Sequence, residues 1–435
     1  MAALKIKSRF RSAVRFVSEQ NHIDLFPARH YLRGYTVAAM RTDLSSGLNV
    51  ALLAFPQGMA YALIAGLPIQ YGIISFIAAS IIASLFGSSR FNSYGPSNAT
   101  AVLILSTFLG LQMPEAMAVV ALPALVLLTG IFLVIGGYLR VARVVQYVSK
   151  TVITGYITGA ALLIIANQIK NVLGFEIPQA SSFYGVVSGT IGQIPSTHFP
   201  SLILALITAA IYFVLTRRFR TLPNVAITLV VMALISSLMS HLGYPVETLS
   251  AVTLAGWAPA SFPTDFDLWN QLLLPSLALA FLITLESCSI GKSLAARAGD
   301  RLNTNQEIFG LGLGNIASAF SGGMAASASL TRSSLNCNSK AASPFSNFYA
   351  GLIVLALFIV LGNFIGYIPK PALAVLVISI GLTLINRHNI RVVSRSTRSD
   401  AIVFFTTLFV GLVFALDTAI YIGTILSIAL FLRKV

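Results

Sequence analysis

The chain has 435 residues, 56% of them hydrophobic and only 9% charged. Soluble domains carry about 25% charged residues, so too few polar side chains are present to cover a water-soluble core. The net charge of +15 invites a nucleic-acid reading, but the basic residues sort by position in a way that nucleic acid does not require. The class is an all-α polytopic membrane protein, since the ten-residue alternating strands of an outer-membrane barrel are absent.

Residues 1–43 form a basic arm with Lys5, Lys7, Arg9, Arg11, Arg15, Arg29, Arg33 and Arg41. The first apolar run comes only after about 43 residues, which gives no signal peptide. Asp24–Arg41 mixes aromatic, apolar and basic side chains and predicts an interfacial helix. Fourteen membrane segments follow, at 44–66, 70–88, 97–110, 115–138, 146–169, 200–216, 223–242, 270–291, 307–320, 328–337, 345–365, 371–386, 401–415 and 418–432. Several are too short to span a bilayer alone. Segments 1–7 make a first half, 44–245, and segments 8–14 a second half, 246–435. The stretches Gly174–Pro200, Gly243–Asn270 and Arg387–Asp400 read as polar connections.

With the N-terminus inside, all of the 28 Lys and Arg except Lys170 and Lys370 fall on the cytoplasmic side. Glu176, Glu247, Asp265 and Asp267 fall outside. The positive-inside rule therefore predicts an even number of crossings in a plasma (inner) membrane, with both termini cytoplasmic. Attraction to lipid headgroups is a secondary reading of the same charge.

In segment 1, Gln57 and Tyr61 flank Gly58 just after Pro56 and share a face at i, i+4. A helix broken there would turn both into a pocket; the alternative is a proline kink with ordinary packing. Segment 3 begins Ser93-Tyr94-Gly95-Pro96-Ser97-Asn98-Ala99-Thr100, and segment 10 begins Gly322-Gly323-Met324-Ala325-Ala326-Ser327-Ala328-Ser329-Leu330-Thr331-Arg332. Each is Gly-rich, then small and hydroxylated, then a helix too short to span, and each is the third apolar element of its half. Interrupted segments at matching positions point to a transport site between inverted repeats. Half-helices that start in mid-membrane leave N–H groups unpaired and carry a partial positive charge there. Two facing N-termini therefore make an anion site, with donors expected from Ser97–Ala99 and Ser327–Ser329.

Glu286 interrupts the apolar run Leu272–Ile290. A charge in hydrocarbon costs at least ~2.5–3.5 kcal/mol and marks ion or substrate pathways. It reads as a coupling carboxylate, or as a structural partner of Arg332. Arg332 reads in turn as the cation that meets an anion, as the partner of Glu286, or as a snorkelling side chain. Gly310-Leu311-Gly312-Leu313-Gly314 follows no βαβ pattern and predicts close helix packing, as does Gly155-xxx-Gly159. Asp417 predicts an N-cap of the last segment. The two cysteines, Cys288 and Cys337, and five scattered His show neither metal spacing nor a disulfide framework, so neither a metal nor a cofactor is expected.

These residues together resemble the SulP family of anion transporters, the sulfate permease group. Pro56-Gln57-Gly58-Met59-Ala60-Tyr61-Ala62 is similar to its first-helix motif. Gly87-Ser88-Ser89-Arg90 with Gly95-Pro96-Ser97-Asn98-Ala99 is similar to its third-segment start, and Glu286-Ser287 to its eighth-segment acid. Gly314-Asn315-Ile316 through Ser329-Leu330-Thr331-Arg332 resembles its tenth-segment approach, with Ala325 where a proline is usual, and Phe414-Ala415-Leu416-Asp417 its last-segment start. The resemblance implies a 7+7 inverted repeat of the nucleobase-transporter type, core and gate domains, elevator movement and a homodimer. It places Gln57, Tyr61, Ser97, Ser329, Thr331 and Arg332 at the anion, with Asn98, Ala99, Ser327 and Ala328 on the same half-helix starts, and Glu286 at coupling. The family's cytoplasmic STAS domain is expected to be absent.

The expected function is secondary active transport of a small anion, with sulfate first and H⁺ as the co-ion. Bicarbonate, chloride or dicarboxylate transport, Na⁺ coupling, a passive anion channel and a nucleobase carrier stay open. An enzyme is not expected, because no nucleophile–base pair or cofactor loop is visible.

Overall fold

The computed structural model describes residues 23–140, 150–177, 183–219, 224–249, 260–414 and 416–434. In chain order its elements are α1 (Ala28–Leu32), α2 (Val37–Ile64), α3 (Gln70–Phe86), β1 (Tyr94–Gly95), α4 (Asn98–Gly110), α5 (Glu115–Tyr138) and α6 (Lys150–Leu173). There follow α7 (Phe183–Gln193), α8 (Phe199–Arg218), α9 (Asn224–His241), α10 (Phe266–Ala298), α11 (Thr304–Phe320), β2 (Ser327–Ala328) and α12 (Leu330–Asn338). The chain ends with α13 (Phe345–Leu361), α14 (Lys370–Leu384), α15 (Arg387–Ser396), α16 (Arg398–Val413) and α17 (Leu416–Lys434).

Each expected segment meets a helix, and the differences have local causes. The connection 174–200 contains α7, and the connection 387–400 contains α15, whose start is fixed by Asn386 accepting from the His388 and Asn389 N–H groups. The expected interfacial helix shrinks to α1, because Thr36 caps a longer first helix by accepting from Ala39 N. The expected break at Pro56 does not occur: α2 runs through it. The chain is not purely α-helical, since β1 and β2 pair antiparallel, Tyr94 with Ala328 and Gly95 with Ser327. The Asp417 side chain and most of the N-terminal arm lie outside the described residues.

Among the described residues eight helical stretches are long and apolar enough to cross a membrane, two of them continuing past α13 to Tyr367 and past α14 into α15, with α3, α4 and part of α17 as shorter apolar helices. Leu206, Leu234 and Val360 are largely exposed on them, as is Phe409 on α16. Large apolar side chains facing outward from a bundle are satisfied by lipid rather than water, and the protein is a multi-pass membrane protein.

The helices pack in two groups. In the first, α11 lies against α5 and α3, α13 against α2 and α3, and α10 against α5. In the second, α6 is flanked by α14, α16 and α17, and α8 packs on α14. The Gly310–Gly314 stripe behaves as its spacing predicts: a Cβ on Gly310 would fall 2.5 Å from the Gly87 backbone, and one on Gly312 2.7 Å from Val134. The tightest approach is between α2 and α3, where a Cβ on Gly72 would fall 1.9 Å from the Gly58 carbonyl oxygen. Gly72→Ala is therefore expected to destabilise the protein by ~1–3 kcal/mol, as overpacking does. Gly192→Ala, with nothing within 4 Å, should be neutral. Thermal melting of the two purified variants checks this; equal melting temperatures would remove the packing role assigned to Gly72.

Candidate functional site

Segments 3 and 10 are interrupted because extended backbone occupies the middle of the first bundle. At 13 and 9 residues, α4 and α12 reach only ~20 and ~14 Å of a ~30 Å hydrocarbon layer. Non-helical backbone at this depth must find partners in protein. The β1–β2 pair supplies some of them. Side chains supply the rest: Ser80 Oγ donates to Tyr94 O at 2.7 Å, and Ser75 and Ser318 hydroxyls donate to Met324 O at 2.6 and 2.8 Å. Asn315 grips Ala326 from both sides, donating to its carbonyl at 3.0 Å and accepting from its N–H at 2.9 Å. Gly95 is required where it stands. Its φ is +152°, and a Cβ there would fall 2.5 Å from the Phe76 ring.

The two short helices begin side by side. Ser97 is the N-cap of α4 and forms a capping box with Thr100. Ser329 is the N-cap of α12, but its side chain makes no capping bond. The first N–H groups of α12 therefore have neither an intrahelical partner nor a side-chain cap. Leu330 and Thr331 are exposed there, and Ser329 Oγ lies 3.1 Å from Thr331 Oγ1.

Arg332 is the third residue of α12, and long helical side chains point back towards the N-terminus. Its guanidinium accordingly reaches past the helix start. Nη2 donates to Pro96 O at 2.9 Å and Nη1 to Gln57 Oε1 at 3.2 Å. Its Cζ lies 5.4 Å from the Phe76 ring centroid and 5.9 Å from that of Tyr61. Arg332 is 0% exposed, so it does not snorkel. It forms none of the ion pairs among the described residues, and its Nε is buried without a hydrogen-bond partner.

Glu286 does not pair with Arg332. Its Oε2 accepts from Ser327 Oγ at 2.6 Å and from Ser97 Oγ at 2.9 Å, so one carboxylate ties the starts of both interrupted segments. Half-buried on α10, it remains open to the cleft. This arrangement changes the expected donor set. The Ser97 and Ser327 hydroxyls are engaged by Glu286, and the Ala328 and Ser329 N–H groups donate to Ser287 Oγ and Ser93 O, each at 3.1 Å. The donors left at this end are those of the first turn of α12 and the Arg332 fork. On the other side, Asn98 Oδ1 is buried without a partner, and Ala99 O accepts from Tyr156 OH of α6 at 3.2 Å, linking the two bundles.

Of the expected residues, Gln57, Tyr61, Ser97, Asn98, Ala99, Ser327, Ala328, Ser329, Thr331, Arg332 and Glu286 all border this one region. Two further carboxylates went unread in the sequence. Glu307 is fully buried at the start of α11 and accepts from Ser88 N, Ser89 N, Asn92 Nδ2 and Tyr94 OH at 2.5–3.0 Å. Asp43 is fully buried on α2 and accepts from Ala342 N, Ser343 N, Ser343 Oγ and Tyr35 OH at 2.5–3.1 Å. Their only sequence signal was an acid near a segment end, which reads equally as helix capping.

A separate cavity of about 770 Å³ lies at the far end of the helices, lined by Lys170 and Lys370, the two cations expected outside. Lys370 pairs with Glu247, and Glu115 and Glu176 also line the space. Three acids against two cations leave it no net positive charge for an anion.

A family model described as the sulfate permease family matches residues 40–407. The chain is 29% identical to sulfate transporter 4.1, chloroplastic, of Arabidopsis thaliana over 94% of its own length and 61% of that protein's. It thus spans less than two thirds of that relative. Among solved structures it resembles SLC26A9, with a TM-score of 0.87 at 22% identity over 98% of this chain and 70% of that one. It also resembles the transmembrane domain of the cyanobacterial bicarbonate transporter BicA, with a TM-score of 0.79 at 18% identity over 90% and 97%. At these identities the two structures share the fold with this chain.

Proposed function

Because the chain belongs to the sulfate permease family, we propose that it is a secondary active transporter of a small oxyanion, with sulfate as the substrate. The observation that carries this reading is Arg332. A buried cation without a direct ion-pair partner costs several kcal/mol, and Glu286, the acid near it, is held by Ser97 and Ser327 instead. An anion between the starts of α4 and α12 would supply that partner and meet unpaired helix-terminal N–H groups. Gln57 holds the guanidinium from behind, and Tyr61 and Phe76 present ring faces to it, which suits a cation. Thr331 and Ser329 add hydroxyl donors at the mouth of the site, with Asn98 opposite.

The fourteen segments are taken as a 7+7 inverted repeat, 44–245 and 246–435. Support comes from the two interrupted segments at matching positions and their antiparallel strand pair. The two helix groups correspond to core and gate, and transport is an elevator movement of the first against the second. Glu286 carries the coupling proton, since it touches both half-helix starts and its charge state alters both at once. The protein sits in an inner membrane with cytoplasmic termini, and a homodimer is the expected assembly.

The test is radiolabelled sulfate uptake into proteoliposomes with and without an inward proton gradient, with bicarbonate, chloride and fumarate as competitors. Uptake should be stimulated by the gradient and competed by unlabelled sulfate. Glu286→Gln should take up sulfate at a rate that no longer follows pH; an unchanged pH profile in that variant removes the coupling role. Competition by bicarbonate without sulfate uptake would replace the substrate, and steady single-channel currents would replace the carrier by a channel.

A further inference from the structure

The helix α15 has no part in the site above, yet it is the most strongly two-sided of the described helices. Arg387, Arg391 and Arg395 recur at every fourth residue and are all exposed, so they lie along one face. Val393 on the other side is buried, where α15 packs on α16 and α6. Arg398, the first residue of α16, extends the basic surface.

Among the described residues nothing neutralises this face. None of the four arginines takes part in an ion pair among the described residues. The sequence has no acid between Glu307 and Asp400. Asp400 is itself occupied, its Oδ2 accepting from Thr397 Oγ1 at 2.8 Å and its Oδ1 from Thr151 Oγ1 at 3.2 Å.

The position of the helix names the layer that faces it. Ile402 and Phe405 on α16 are largely exposed and apolar, hence lipid-facing, and Ile402 follows Arg398 by about one turn, ~6 Å. Arg398 therefore sits about one turn outside the hydrocarbon, and α15, which ends two residues before it, lies on the headgroup side. Val392, exposed between Arg391 and Arg395, offers an apolar contact that a soluble anion would not use but an acyl chain would. Arg forks match phosphate oxygens in pairs, and clusters of basic residues just outside a membrane helix attract anionic lipid.

We infer that the Arg387–Arg391–Arg395 face of α15, with Arg398, is a docking surface for the phosphate headgroups of anionic lipids. Because α15 rests on α6 and α16, bound lipid holds the second helix bundle in the plane of the membrane. Under the function proposed above, that bundle is the one against which the other moves, so transport should quicken as anionic lipid is supplied. The lipid-binding part of the inference does not depend on that function.

The experiment uses the full chain purified in detergent with mixed phosphatidylglycerol and phosphatidylcholine, with retained lipid counted by mass spectrometry. Phosphatidylglycerol should be retained in preference. The triple variant Arg387→Gln, Arg391→Gln, Arg395→Gln should retain it less, by roughly fivefold for each arginine removed. The matching triple Lys variant should keep most of it, which separates lost charge from lost fold. Equal retention by the Gln variant, or displacement of the lipid by millimolar inorganic phosphate, would overturn the proposal. In proteoliposomes, uptake should rise with phosphatidylglycerol content in the wild type and not in the Gln variant. A lipid effect on uptake that survives in the Gln variant would overturn the anchoring role, whatever substrate is carried.

Discussion

Arg332→Gln is expected to abolish anion uptake, by about 100-fold or more, while leaving the protein as stable as before or slightly more stable. The two halves of this result have one cause. Arg332 is completely buried, has no carboxylate partner, and leaves Nε without a hydrogen bond. In the absence of anion such a charge opposes folding, since taking it out of water costs several kcal/mol, and a neutral side chain removes that cost. Glutamine is too short to keep the bond to Pro96 O, a loss of about 1 kcal/mol that offsets part of this gain. An anion adds the missing charge, and Gln cannot answer it. In melting experiments sulfate should raise the melting temperature of the wild type, as any ligand of the folded state does, through about 2.7 kcal/mol of added stability at a hundredfold excess over its Kd. It should not raise that of the variant. Arg332→Lys should fall between the two, since an ammonium keeps the charge but loses the planar fork that reaches Pro96 and Gln57 together. A Gln variant that melts far below the wild type would show that Arg332 is structural and end its role as the anion's partner.

How much of this was visible beforehand depends on the distance over which each feature is encoded. The membrane helices were legible because apolar runs of the right length speak for themselves, and 115–138 coincides with α5 residue for residue. The interrupted segments were legible too, since Gly95-Pro96 and Gly322-Gly323 cannot continue a helix through the bilayer. What the starts of those segments do to one another was not. Tyr94 and Ala328 are more than two hundred residues apart, and two-residue strands have no periodicity to read. Their pairing is forced by unpaired backbone groups at membrane depth; beside it the Ser329 N–H is taken by Ser93 O and the Ala328 N–H by Ser287 Oγ, which withdraws both from the expected anion site. Glu286 and Arg332 were read as residues out of place but not in relation to each other. Two hydroxyls, from Ser97 and Ser327, reach the carboxylate, and that competition cannot be weighed from the order of residues. The helix α15 was lost for a different reason: its arginines made it look like a loop, although their spacing of four was a helical signal in plain sight.

The largest loss of stability is expected at Glu307, which the sequence did not single out. Its carboxylate gathers two backbone N–H groups, from Ser88 and Ser89, together with the Asn92 amide and the Tyr94 hydroxyl. Three of these four can only donate, so only an acceptor with several lone pairs satisfies them. The same residues form the approach to β1, and Pro96, which receives Arg332, follows two residues after Tyr94. Glu307→Ala leaves all four donors in a dry interior, and each orphaned group costs ~1–3 kcal/mol. The sum is comparable to the whole stability of many proteins, and folded protein should fall to a small fraction of the wild-type yield. Glu307→Gln is the informative variant. Its carbonyl oxygen still accepts from Ser88 and Ser89, but its NH₂ meets the Asn92 NH₂. Asn92 is not free to turn over, because its amide also donates to Ser287 O at 3.3 Å. Tyr94 can rotate its hydroxyl and accept instead. One clash in place of four orphans predicts a folded but less stable protein, lower in melting temperature, with an approach to β1 that is less well held and with anion affinity lowered through Pro96 and Arg332. The measurement is the melting temperature of both variants, with and without sulfate. If the Gln variant melts as the wild type does, or keeps the full sulfate-induced shift while melting lower, Glu307 does not hold the site, and the loop 88–94 must be positioned by something else.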